Sequence, residues 1–229
     1  MAITATTLSR SAGVAAATAG LIFIGVQINH PHLDAVSVVT TEVVVRDSLK
    51  VVMAVLALVG ITGMYLRQVK QTGVLGLIGY LLLGGGYLVI LSTSFIAAFV
   101  VPAIAETNPA YVNDVLAEAT GGHATGDIGL LHNAIQVQGI CYLVGGLVFG
   151  VALFRARVLA RWAAALLAVG GVVSLALSVL PDAFYRLLAF PNGIAMIGLG
   201  LSLWRLDRLG ATVEPIGRIP AGVVAAGIE

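Results

Sequence analysis

Apolar runs of about twenty residues recur along the whole chain, separated by short polar breaks. That length matches the hydrocarbon core of a bilayer, so each run is expected to be a membrane-spanning helix. Six are expected, at about 10–29, 42–66, 73–101, 127–154, 158–180 and 183–206. Pro31 should end the first, because it drives His30 out of the helical region. Pro102 should end the third. The Pro191-Asn192-Gly193 triplet should break the sixth, since an interior proline removes a hydrogen bond and kinks the axis. The segment 103–126 is expected to be a long loop with a short amphipathic piece at about 110–118, closed by Gly121-Gly122, able to lie over one end as a lid. The tail 209–229, with Pro215 and Pro220 and little periodicity, is expected to be disordered and cytosolic. The expected fold is all-α: a polytopic six-helix bundle over residues 1–208.

Composition agrees. The 229 residues are 59% hydrophobic and 10% charged, with a mean hydropathy of +1.03. A soluble domain has about 25% charged residues. The net charge of +1 leaves no basic footprint for nucleic acid. The lone Cys141 excludes a disulfide framework and reads as a small buried hydrophobe. A signal peptide is the competing reading of the first run, but the run ends in QINHP rather than a small-residue cleavage site.

Charge placement orients the bundle. Nine of the twelve Lys and Arg residues fall at one set of ends: Arg10, Arg67, Lys70, Arg155, Arg157, Arg161, Arg205, Arg208 and Arg218. That set is expected to be cytosolic, with both termini, in a multi-pass protein of the cell membrane. Arg46, Lys50, Arg186, eight of the eleven acids and all four histidines fall at the other. Small-residue stripes (Gly146 with Gly150; Gly170, Ser174 and Ser178; Gly198 with Ser202) read as helix-packing faces. Gly84-Gly85-Gly86 reads as a bend or a contact point.

The polar cluster is densest between Gln27 and Lys50. Glu42, Arg46 and Lys50 share a helical face at i,i+4, and Asp47 precedes Lys50 by three, so internal ion pairs are available. One reading is a solvated helix start. The other follows from depth: Asp47 and Lys50 lie at or inside the interface, where ionisable groups usually face a partner or a cavity. His132 and Gln136 share a face of the fourth helix, while Gln138 points elsewhere and should bond another helix. Asp182 suits either an N-cap or an acid. Together these suggest an outward-opening pocket between the first, second, fourth and sixth helices. Its candidate acids are Glu42, Asp47 and Asp182. Gln27, Asn29, His30, Arg46, Lys50, His132, Gln136, Phe184, Tyr185 and Asn192 would bind substrate, with Phe190 also in the lining.

There is no HExxH, CxxC, P-loop, GxSxG or paired-Asp diphosphate motif, and no lysine in the middle of the last span. His30, His32, His123, His132 and Asp34 form no specific metal pattern, so neither metal nor cofactor is expected. A carboxylic acid in an apolar pocket can protonate an alkene or epoxide without either. Phrases such as QINHP, QVKQTGVLG, LFRARVLARWAAALLAVG and LPDAFYRLLAFPNG resemble small actinobacterial polytopic membrane proteins. The chain's size and its acids near helix ends resemble the small integral-membrane terpene cyclases of meroterpenoid pathways. That second likeness implies a metal-independent, acid-initiated cyclisation of an isoprenoid. The alternatives are a small-molecule or proton-coupled transporter and a non-catalytic membrane subunit. The partners expected are a hydrophobic small molecule or lipid and the membrane itself, and an oligomer is compatible with either.

Overall fold

The computed structural model describes residues 4–177 and 189–212, with side chains described for 4–170 and 190–206. All regular structure among them is helical: α1 (Ala5–Gly25), a 3₁₀ turn (Ser37–Val39), α2 (Thr41–Arg67), α3 (Val69–Phe99), α4 (Val101–Ile104), α5 (Pro109–Ala119), α6 (Leu130–Ala156), α7 (Arg161–Leu177) and α8 (Ala189–Thr212). Four of these, α1, α2, α3 and α6, are long and apolar enough to cross a membrane.

The long helices form a closed ring. Each packs on the next in the order α1, α2, α3, α6, α7, α8, and α8 returns to α1. One end of the ring carries the start of α1, the α2–α3 and α6–α7 turns and the end of α8, with Arg10, Arg67, Lys70, Arg155, Arg157, Arg161 and Arg205 among the described residues. The other end carries the segments 26–40 and 100–129. The apolar core fills the ring toward the basic end: Ile61 and Met64 of α2, Leu83 of α3, Phe149 and Leu153 of α6, and Leu199 and Leu203 of α8 are all buried.

Close backbone approach at glycines joins the neighbouring helices of the ring. One tight seam is between α1 and α8. Gly13 faces Gly200, and one heptad on Gly20 faces Gly193, an antiparallel pairing. A Cβ on Gly13 would lie 2.7 Å from the Gly200 carbonyl oxygen and 2.9 Å from the Trp204 nitrogen. Elsewhere Gly79 and Gly86 of α3 meet the α6 backbone at Phe149 and Tyr142, Gly145 meets Leu83, and Gly150 meets Ala164 and Ala168 of α7. The expected Gly146–Gly150 stripe is therefore divided. Gly150 is the close contact with α7, and Gly146 sits farther off, where a Cβ would be 3.7 Å from the Leu167 oxygen. In the glycine triplet only Gly86 is a backbone contact; Gly85 has open space beside it, and α3 runs on without a bend there.

Several boundaries differ from the sequence expectation. α1 stops at Gly25 rather than 29, because i→i+3 bonds from Gln27 and Ile28 tighten the chain and Asn29 turns left-handed at φ 49°. α3 starts at Val69 and kinks at Gly73, whose φ of 55° only glycine adopts readily. The segment 103–126 is not mainly loop, since α4 reaches Ile104 and α5 spans Pro109–Ala119. Pro191, Asn192 and Gly193 lie at the start of α8 as described, which runs to Thr212, into the expected tail, and the stretch before them, 178–188, where a break would show, lies outside the described residues. The rest of that tail, the start expected for the sixth helix and Asp182, Phe184 and Tyr185 lie outside the described residues.

Candidate functional site

Arg46 is committed to structure. Its Nη1 donates to the carbonyls of Val26 and Ile28, both at 2.9 Å, and its Nη2 to that of Asn29 at 3.3 Å. Its Nε and Nη2 donate to Glu42 Oε1 at 3.1 and 2.8 Å. All five guanidinium N–H groups are thereby used. The Ile22, Ile24 and Gly25 carbonyls are taken by N–H groups of the turn that follows, so Arg46 satisfies the carbonyls of that turn, just beyond the negative end of the α1 dipole. Glu42, whose side chain is 58% exposed, orients that guanidinium.

One turn deeper, Asp47 is 4% exposed and accepts a 2.7 Å bond from Lys50 Nζ. Lys50 Nζ also lies 3.4 Å from His30 Nε2. His30 Nδ1 is 2.9 Å from the Pro31 carbonyl, which can only accept, so that nitrogen carries the proton and Nε2 presents its lone pair to the ammonium. His30 lies outside any helix, as expected ahead of Pro31, and its bond to the Pro31 carbonyl fixes its tautomer. Asp47, Lys50 and His30 form a row of proton-carrying groups above the apolar core. Lys50 is the middle member and keeps 22% of its side chain exposed.

A second polar cluster joins α5 to α6. Glu118, buried on the amphipathic α5, accepts from Gln136 Nε2 at 2.8 Å and pairs with His132 Nδ1 at 3.0 Å, both through Oε1; its Oε2 accepts from the Ala124 N–H at 3.3 Å. The Gln136 bond, then the Ala124 bond, hold its carboxyl below the usual glutamate range against the opposing effect of burial, and His132 and His123 add to the lowering. Asp114, one turn earlier, accepts from the Thr125 N–H and hydroxyl and from the Gly126 N–H, which likewise lowers its carboxyl. An open cleft of about 300 Å³ lies here, lined by Glu118, His123, Asp127, His132 and Asn133 among others.

These pieces make a cap over the acidic end. Asp34 and Ser37 bond each other's backbone N–H reciprocally, a capping box that shapes the 3₁₀ turn and lowers the Asp34 carboxyl. Asn113 of α5 accepts from the Ala35 N–H at 2.8 Å. Val38, Val43, Val101, Ala105, Val112 and Leu116 form a small apolar core of their own beneath it. The expected lid is a packed layer.

The expected site residues therefore separate. Glu42, Arg46, Asp47, Lys50 and His30 gather at the α1–α2 end. His132 and Gln136 share a face, as their spacing implies, but it meets α5, and α3 stands between α2 and α6 in the ring. Gln138 bonds Thr93 across to α3 at 2.8 Å, the interhelical role expected for it. Gln27 is half-buried and Asn29 exposed in the turn after α1. Asn192 is buried, with its side chain against Gly170 of α7, and Phe190 is half-buried. Cys141 is unpaired and half-buried. Glu118, Asp114 and His123 were missed as partners. The available signal was a glutamate on the apolar face of the 110–118 piece, where a lone acid requires a donor. Among the described residues no three His, Cys, Asp or Glu side chains converge as metal ligands would.

No family model, curated protein sequence or solved structure matches this chain.

Proposed function

We propose that the chain is a multi-pass membrane protein with its six long helices crossing the bilayer and the acidic, capped end outside. In this reading it binds a hydrophobic small molecule beside Asp47, Lys50 and His30 and transfers a proton to it. The observation that carries the reading is the burial of Asp47, with one ammonium 2.7 Å away and a histidine behind it. Ionisable groups at such depth usually mark a functional site. The reaction class is the acid-initiated cyclisation of an isoprenoid. A protonated Asp47 would give its proton to an alkene or epoxide, and Lys50 would stabilise the carboxylate left behind, an interaction that grows as the transition state forms. The cyclised cation would then lose a proton to a base such as His30 Nε2, and return of that proton to Asp47, through Lys50 between them, would restore the acid.

Glu42 is a weaker candidate, because it is exposed and spent on Arg46. A through-path for transport is disfavoured by the large buried side chains that fill the ring below the triad. Purified protein in nanodiscs, given an epoxidised farnesyl arene, should yield a cyclised product. Asp47→Asn should abolish it and Glu42→Gln should not. Equal conversion by wild type and Asp47→Asn, or none by either, refutes the enzymatic reading. Proton-driven flux into liposomes would replace it with transport. Cysteines placed at 36 and 157 in a Cys141→Ser background should react with an impermeant maleimide from opposite faces of intact cells. Reaction from one face refutes the topology.

A further inference from the structure

We propose that the outer seam between α1 and α8, at the basic end, binds one anionic phospholipid. The inference rests on the membrane reading above but concerns a different place in the molecule. An open cleft of about 340 Å³ is lined by Thr7, Arg10, Ser11 and Val14 of α1 and by Trp204 of α8. Two hydroxyls and a guanidinium on consecutive turns of one helix suit a phosphodiester, which arginine binds through paired N–H groups. An indole across the cleft suits the glycerol and ester level, where tryptophan concentrates. Among the described residues no carboxylate pairs with Arg10.

Beyond the cleft the α1–α8 contact is made by Gly13–Gly200 and Gly20–Gly193, with Ile24 and Ile197 packed at the second pair, so the seam between the helices stays narrow. Its rims are apolar and exposed: Val14 and Leu21 on α1, Leu201 and Ile194 on α8, each pair one heptad apart. From Arg10 to Leu21 is eleven residues, about 16 Å along a helix, close to half of a roughly 30 Å hydrocarbon core. A headgroup at Arg10 therefore places one acyl chain along these exposed apolar rims, over one leaflet's depth. The occupant is anionic rather than zwitterionic because the site is cationic and sits at the end that collects the basic residues, the end that faces anionic lipid in the topology proposed.

The test uses the intact chain with Trp162→Phe, leaving Trp204 as the one indole. The protein is reconstituted in phosphatidylcholine vesicles containing a fixed fraction of acyl-dibrominated lipid, either phosphatidylglycerol or phosphatidylcholine. Phosphatidylglycerol should quench Trp204 with an apparent affinity on the order of fivefold higher, the factor one basic residue near an anionic lipid contributes. Arg10→Gln should remove the preference, and Arg155→Gln, on α6, should keep it. Equal quenching by both lipids, or a preference that survives Arg10→Gln, overturns the lipid site while leaving the membrane reading intact. No quenching by either lipid overturns both. Loss of the preference on adding millimolar inorganic phosphate at constant ionic strength would assign the site to soluble phosphate and overturn the lipid assignment.

Discussion

Removing both members of the Asp47–Lys50 pair should destabilise the bundle no more than removing one. Asp47 is 4% exposed and Lys50 keeps 22% of its side chain in contact with solvent, so the carboxylate is the more deeply committed partner. Stripping a fully buried pair of one partner costs about 3–5 kcal/mol. Lys50 has a long stem and can carry its charge toward the surface, so Asp47→Ala should fall below that range, at about 2 kcal/mol. Lys50→Met strands the buried carboxylate and should cost about 3 kcal/mol. The double variant should cost no more than the milder single, a coupling of about 3 kcal/mol. For a chain of this size about 1 kcal/mol shifts the midpoint by roughly 2–4 °C, so the singles should melt roughly 4–12 °C below wild type. Circular dichroism during heating in a mild detergent reads this directly. Strict additivity, with each single within about 0.5 kcal/mol of wild type, would mean the pair is solvated in the way surface ion pairs are. The case for Asp47 as a buried acid would then fall.

Neighbouring glycines of α3 should respond in opposite directions. Gly85→Ala enters open space and should stabilise by roughly 0.5–1 kcal/mol, the helix propensity difference, whereas Gly86→Ala puts a methyl 2.8 Å from the Tyr142 nitrogen and should cost about 1–3 kcal/mol, both read from thermal melts. Arg46→Lys keeps the charge but not five directed donors, so amide exchange at residues 25–30 should accelerate by about tenfold while α2 is unaffected. The cap should loosen in acid. The Glu118 carboxyl titrates below its ordinary value in the folded protein, so its stabilisation is present above that ordinary value, about 4.3, and is lost as pH falls through the lowered one. Proteolysis between 119 and 126 should rise over that window, and Glu118→Gln should remove the pH dependence.

The hydrophobic pattern alone determined that the chain is helical, where its long elements lie and which loops share an end. Those features depend on local period and run length, and on charge placement between runs. The i,i+3 and i,i+4 relations within α2 were legible for the same reason, and so was the common face of His132 and Gln136. Tertiary structure decided what each face meets. Arg46 spends its donors on carbonyls of the turn after α1, 17 to 20 residues away in the chain, Glu118 captures the His132–Gln136 face, and Gly13 and Gly20 find Gly200 and Gly193 from opposite ends of the chain. Spacing within a helix is fixed by backbone geometry, but the order of helices around the ring is set by which backbones can approach most closely. No local stretch records that choice, so two polar clusters that look alike in sequence came to lie on either side of α3.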